Sequence, residues 1–203
     1  YEHLSLDLIY GVQGDTKGLL RSDIRQAFEL PIDHISLYSL TIEENTAFEK
    51  LPEMAKEELD LTQWIFDEIS HRGFEHYEIS NFGKYKSQHN LGYWKHTPYI
   101  GLGAGAVGFL DFTRFYPTPD IEAYIDAPLT IKEEVLNESE LLNEKFFLGF
   151  RSCVGVEQTL LSKAQQSQAQ ILHEGGLLEY RNGHYYNPNF LLADEITLRI
   201  EGY

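Results

Sequence analysis

The sequence predicts an α/β fold in which neighbouring parallel strands are covered by amphipathic helices. Three observations support this. Residues 3–10 alternate, with Leu4, Leu6 and Leu8 on one side and Ser5, Asp7 and Ile9 on the other. Leu20, Ile24, Ala27 and Phe28 then recur at helical spacing. A second alternating run from Ile35 to Thr41 places Ile35 and Leu37 on one face and Ser36 and Tyr38 on the other. Strand, helix and strand within about forty residues make a βαβ unit, whose two strands run parallel.

Each element has a local cause. Gly11 and Gly14 break the chain after the first strand, a helix is expected over 16–30, and Pro31 closes it. Leu61, Trp64, Ile65 and Ile69 form the apolar face of a second helix that ends at Gly73. The segments Tyr77 to Phe82, Tyr99 to Leu102 and Ala106 to Phe112 read as short strands that extend the sheet. Thr118 to Asp126 reads as a helical turn, and 128–137 as a connector. From Ser139 the pattern is helical, through Leu142, Phe146 and Gly149 and then Leu161, Ala164, Ile171 and Leu172, until Gly175-Gly176 stops it. A hairpin around Arg181-Asn182-Gly183 follows, and a final helix carries Leu192, Ile196 and Ile200. Helix, helix, hairpin, helix is similar to a winged helix. The expected division is an α/β domain over 1–127 and a helical domain over 128–203.

Composition limits the function classes. The 203 residues are 42% hydrophobic and 24% charged, an ordinary globular balance. A net charge of −16 opposes nucleic-acid binding, which depends on lysines and arginines neutralising phosphates. Residues 139–203 hold 8 acidic and 5 basic side chains, so the winged-helix-like part reads as a packing or interaction module rather than a DNA reader. The one cysteine, Cys153, with Val154 and Val156 close after it, excludes a disulfide framework and a multi-cysteine metal site within one copy, and fits a reducing cytoplasm. No stretch approaches the ~20 apolar residues of a membrane helix. The chain begins at Tyr1 and enters a strand at once, so it is expected to be the C-terminal part of a larger protein.

Two segments carry candidate chemistry. The faces holding Ser5, Asp7, Ser36 and Tyr38 are expected to look into a barrel interior or crevice, because the leucine faces take the helices. Asp7 is costly to bury unpaired, and Asp7, Tyr38 and Thr41 lie near the strand ends where α/β folds bind ligands. The run His89-Asn90-Leu91-Gly92-Tyr93-Trp94 places an imidazole, an amide and two large rings within six residues, which suits a flat, partly apolar ligand. His89 reads as metal ligand, ligand contact or structural histidine, and no second histidine or cysteine stands at a spacing that closes a metal site. Gly101-Leu102-Gly103-Ala104-Gly105-Ala106 matches a dinucleotide fingerprint on paper. It lacks the helix that must open at the glycines, so they are read as places of close backbone approach.

Five motifs in order resemble one family: Leu6-Asp7-Leu8-Ile9-Tyr10-Gly11, then Asp33 to Glu43, then Tyr77-Glu78-Ile79-Ser80-Asn81-Phe82, then His89-Asn90-x-x-Tyr93-Trp94, then Tyr99-Ile100-Gly101-x-Gly103-x-Gly105. These resemble the radical S-adenosylmethionine proteins related to oxygen-independent coproporphyrinogen III oxidase, within them the HemW-type haem chaperones. The resemblance covers about residues 3–108 and extends to the helical part only in layout. It implies the last βα units of a partial parallel TIM-like barrel, a [4Fe-4S] cluster, S-adenosylmethionine and haem. The family's Cys-x-x-x-Cys-x-x-Cys loop is absent from this sequence, and Cys153 does not replace it. By resemblance, Asp7 and Tyr38, with Ser39 and Thr41, contact S-adenosylmethionine. His89, Asn90, Tyr93 and Trp94 contact haem, His89 as the candidate iron ligand. Where the family often has histidine after its glycines, this chain has Val107. The implied function is a cytoplasmic chaperone that passes haem to acceptor proteins. The alternatives are radical decarboxylation of coproporphyrinogen III and a non-catalytic interaction domain.

Overall fold

The computed structural model describes residues 2–56 and 58–202. The chain divides into two compact units, Tyr1–Ser87 and Gln88–Tyr203, so the boundary expected at 127/128 lies inside the second unit.

The first unit is a four-stranded sheet with two helices. Its strands are β1 (Ser5–Tyr10), β2 (His34–Ser39), β3 (Glu75–Glu78) and β4 (Asn81–Gly83), in the order β1-β2-β4-β3. β1 and β2 are parallel, as the βαβ pattern requires, and β4 runs antiparallel to both β2 and β3. The helices are α1 (Lys17–Ala27) and α2 (Leu59–Ser70). The Thr16 hydroxyl caps α1 by accepting from the Leu19 N–H, satisfying one of the free amides of the first turn. α1 stops at Ala27, short of the expected 30: after Phe28 the Glu29 and Leu30 N–H groups bond the carbonyls three residues back, at Gln26 and Ala27, in place of the helical i−4 pattern. β2 ends at Ser39, so Thr41 lies in the following loop and not in the strand as the alternation suggested.

Alternation sorts this sheet into two faces. Leu6, Leu8, Ile35, Leu37 and Phe82 pack with Leu20 and Ile24 of α1 and Leu61, Ile65 and Ile69 of α2 in one apolar cluster. His76 stacks on Phe82, with ring centroids 4.0 Å apart, and lies edge-on to Phe66. That position desolvates the imidazole and pushes its pKa down to about 4, with the Ile79 and Glu78 backbone opposing.

The second unit holds two more sheets. β5 (Gly108–Leu110), β6 (Thr113–Pro117) and β7 (Ile131–Val135) form an antiparallel meander. This corrects two expectations: residues 99–112 do not extend the first sheet, and 128–137 is not a plain connector. Residues 131–135 read Ile-Lys-Glu-Glu-Val, with no period-two alternation, and every one of them is exposed, so the strand leaves no burial signal in sequence. α3 (Gln88–Trp94) precedes this sheet, and α4 (Ile121–Asp126) lies between β6 and β7. The remainder is α5 (Glu138–Gly149), β8 (Val156–Glu157), α6 (Lys163–Glu174), β9 (Glu179–Arg181), β10 (His184–Tyr186) and α7 (Ala193–Glu201). Asn137 and Ser162 open α5 and α6 with reciprocal capping boxes. Asn182 and Gly183, both at positive φ, make the tight turn of the β9–β10 hairpin. Phe146, Phe150, Leu172, Leu178, Tyr185 and Ile196 fill the core of this winged-helix-like arrangement.

Two outcomes follow. His76 binds fewer protons folded than unfolded between pH 6.5 and about 4, so its contribution is complete above 6.5 and is lost as pH falls through that window. Glu78, raised by burial, acts in the opposite sense, so the effect is read by difference. Unfolding titrations of His76→Phe, which keeps the ring contacts, should show the acid-side loss reduced by about 3 kcal/mol; an unchanged pH slope contradicts a buried neutral imidazole. Separately, a Cβ on Gly101 would stand 2.1 Å from the Ala106 carbonyl oxygen and 2.4 Å from that of Val107. Gly101→Ala should cost roughly 1–3 kcal/mol or more, seen as a lower melting temperature, and a wild-type melt would refute that close approach.

Candidate functional site

In the first unit, the face opposite the apolar cluster is polar. Strand register carries Asp7 beside Ser36 and Ile9 beside Tyr38, so these side chains share that face. Asp7 is exposed, and Tyr38 is 45% exposed. Ser39 is the next residue and projects to the other side, while Thr41 is exposed in the loop. Of the four candidate contacts for S-adenosylmethionine, the fold therefore brings Asp7 and Tyr38 together on one face, with Ser39 and Thr41 only adjacent in chain. One row below, the Ser5 hydroxyl meets His34 Nδ1 at 2.8 Å, and His34 Nε2 meets the Tyr77 hydroxyl at 2.8 Å. The Ser87 N–H donates to that hydroxyl at 3.2 Å. Desolvation pushes the His34 pKa down, with Asp33 and Asp7 opposing. This chain of polar contacts fixes the face on which Asp7 stands.

In the second unit, the run from His89 to Trp94 lies almost wholly on α3. Positions four apart meet on a helix, and the rings of His89 and Tyr93 do so edge-to-face, with centroids 4.9 Å apart at 87°. Tyr93 meets Tyr99 in the same manner at 4.7 Å. Tyr99 is fixed by paired backbone hydrogen bonds with Phe109, each 2.8 Å. His89 is exposed and Tyr93 is 40% exposed, so both rings are reachable. Asn90 and Trp94 occupy the neighbouring helix face and are half-buried; Trp94 lines a cleft of about 190 Å3 with Gly155 and His184. The six-residue run therefore presents two faces, and only His89 and Tyr93 belong to the exposed one. His96 is engaged elsewhere, donating to or accepting from Glu144 at 2.9 Å and stacking on Phe109.

Tyr99 also opens an apolar cleft of about 290 Å3, whose walls include Leu102, Phe115, Tyr124 and Leu129. Ile100, Leu102 and Leu129 are among the most exposed large apolar side chains of the chain. No helix opens at Gly101 to Gly105; the segment is a turn leading into β5, which excludes the dinucleotide reading. Sequence reasoning missed Tyr99 and this cleft, because the cleft is assembled from β5, β6, β7 and the loop before β7. It also passed over Glu78 and Asn81, which are buried polar residues. β3 reads Glu-His-Tyr-Glu and β4 Asn-Phe-Gly, so polar letters are the rule in this pair and nothing in sequence marks those two as buried. Among the described residues no group of three or more histidine, cysteine or carboxylate side chains is placed to hold a metal ion. The chain's one cysteine, Cys153, does not make the ligand set of an iron–sulfur cluster.

No protein-family model matches the chain. Curated relatives do. It is 37% identical to heme chaperone HemW of Lactococcus lactis over 169 residues, 77% of this chain and 44% of that protein. It is 35% identical to heme chaperone HemW of Bacillus subtilis over 173 residues, 78% of this chain and 45% of that one. A third, from Mycobacterium tuberculosis, is 30% identical and aligns with 100% of this chain and 56% of its own length. The chain thus spans about half the length of the curated relatives it matches. In fold it is similar to the coproporphyrinogen III oxidase HemN of Escherichia coli, described as a radical SAM enzyme, with a TM-score of 0.73 at 13% identity, covering 98% of this chain and 55% of that one. Over the length it shares with these proteins, the chain belongs with the HemW proteins by sequence, and its fold is that of HemN over 98% of its length.

Proposed function

We propose that this chain carries the haem-binding function of a cytoplasmic haem chaperone, which passes haem to acceptor proteins. The observation that carries the reading is the exposed contact of His89 with Tyr93, continued through Tyr99 to an apolar cleft. A neutral imidazole ligates haem iron, and aromatic rings and apolar walls suit a porphyrin plane. His89 would hold the iron through a ring nitrogen, and Tyr93 would supply an adjoining ring. Asn90 and Trp94, on the neighbouring helix face, would hold the helix in place or meet the porphyrin edge. In the first unit Asp7 and Tyr38, with Ser39 and Thr41 beside them, are the proposed contacts for S-adenosylmethionine. An exposed carboxylate and a phenol on one face suit its ammonium and hydroxyl donors. The [4Fe-4S] cluster that the family implies does not fit the residues of this chain, whose one cysteine is Cys153.

The fold likeness to coproporphyrinogen III oxidase supports one rival, the radical decarboxylation of coproporphyrinogen III propionates. The intact His89-Asn90-x-x-Tyr93-Trp94 run favours the chaperone. Haem titrations of the protein and its His89→Ala variant, followed by the Soret band, separate the two. The expected result is haem binding by the wild type and at least a tenfold loss in the variant, about 1.4 kcal/mol. Wild-type protein that binds no haem, yet turns over coproporphyrinogen III anaerobically, contradicts the chaperone reading.

A further inference from the structure

The polar face of the first sheet holds one row of residues that crosses all four strands. Asp7 on β1 is in register with Ser36 on β2. Ser36 is in register with Asn81 on β4, and Asn81 with Glu78 on β3. Residues paired across neighbouring strands stand side by side on one face. At about 4.8 Å per strand, the two carboxyl-bearing ends of the row lie roughly 14 Å apart.

The two ends differ. Asp7 is exposed, whereas Ser36, Asn81 and Glu78 are only 6%, 4% and 1% exposed. The register of β3 against β4 shifts between His76 and Glu78. This bulge gives Asn81 the partner Glu78 where regular pairing would have given Tyr77, and bulges re-aim side chains in this way. The Ser80 N–H donates to Glu78 Oε2 at 3.3 Å. The Asn81 side chain hydrogen-bonds the Glu78 carboxylate, yet among the described residues Glu78 Oε1 and Asn81 Oδ1 are left without a partner. Burial pushes the Glu78 carboxyl up, with the Asn81 amide and the Ser80 and Ile79 backbone opposing. A buried acceptor left unmade costs on the order of 1–3 kcal/mol. Two of them side by side at a bulge are a poor structural device, because an apolar pair of the same shape would be cheaper.

We infer that Glu78 and Asn81 are ligand-contact residues, taking N–H or O–H donors of a small molecule laid across this face from Asp7. The shared chemistry is that of an ammonium or a hydroxyl, both of which S-adenosylmethionine carries, and in naming that ligand the inference rests on the proposed function. It adds two residues to the face at the end opposite Asp7.

Equilibrium dialysis of S-adenosylmethionine against the full-length protein tests this. The variants are Asn81→Leu and Glu78→Gln, with haem affinity measured alongside. Asn81→Leu removes the acceptor with a side chain of the same branched shape but larger volume, so the expected result is a folded protein with at least a tenfold weaker S-adenosylmethionine affinity. Glu78→Gln, which keeps the shape, should weaken binding at least threefold and leave haem affinity unchanged. Should Asn81→Leu fail to fold, Glu78→Gln decides alone. Folded variants that bind within twofold of wild type overturn the inference and leave the proposed function standing. Wild-type protein that binds haem but no S-adenosylmethionine overturns the inference together with the proposed role of Asp7.

Discussion

The register of the β1-β2-β4-β3 sheet is the constraint on which the first unit depends. Side chains alternate with a period of two, so a slip of one residue would exchange every apolar position for a polar one. In the observed register Ile35, Leu37 and Phe82 meet the two helices, and Asp7, Ser36 and Asn81 come together on the other side. The apolar cluster secures that register from one face. The hydrogen-bonded chain of Ser5, His34, Tyr77 and Ser87 secures it from the other. The same residues that hold the fold therefore decide which groups a ligand meets.

The haem site proposed for the second unit meets a different constraint. A porphyrin-sized ligand needs a wide apolar surface together with one nitrogen aimed at the metal. A seven-residue helix cannot offer that surface alone, since its rings at positions four apart cover only one turn. Edge-to-face contacts extend it: His89 to Tyr93, Tyr93 to Tyr99, and Tyr99 to the cleft beside β5. Gly101 lets the chain after Tyr99 lie against the backbone of Ala106 and Val107, which holds that cleft's rim in place. The glycines thus serve backbone contact first, and the apolar side chains between them carry the exposed surface.

The strongly periodic elements were legible in the sequence. β1, α1, β2 and α2 were read within a few residues, because each buries one face and leaves the pattern of that burial behind. The β9–β10 hairpin was legible from Asn182-Gly183 alone. β7 was missed because all five of its residues are exposed. The separate sheet of β5, β6 and β7 was missed because strand propensity does not say which sheet a strand joins. For the candidate site, the run from His89 to Trp94 announced its chemistry, but its partition into two helix faces needed the helix. Glu78 and Asn81 were visible as letters in a motif. Their shared row with Asp7 depends on a bulge at Tyr77, and no sequence pattern marks a bulge.

The central claim is that each unit offers its own ligand surface, one polar and one aromatic. Hydrogen–deuterium exchange of the full-length protein, with haem and S-adenosylmethionine added separately, tests it most directly. The account expects haem to protect residues 88–110, and S-adenosylmethionine to protect 5–10, 34–41 and 78–83 while leaving 88–110 unchanged. Haem protection confined to β1 and β2, or S-adenosylmethionine protection confined to 88–110, would contradict it.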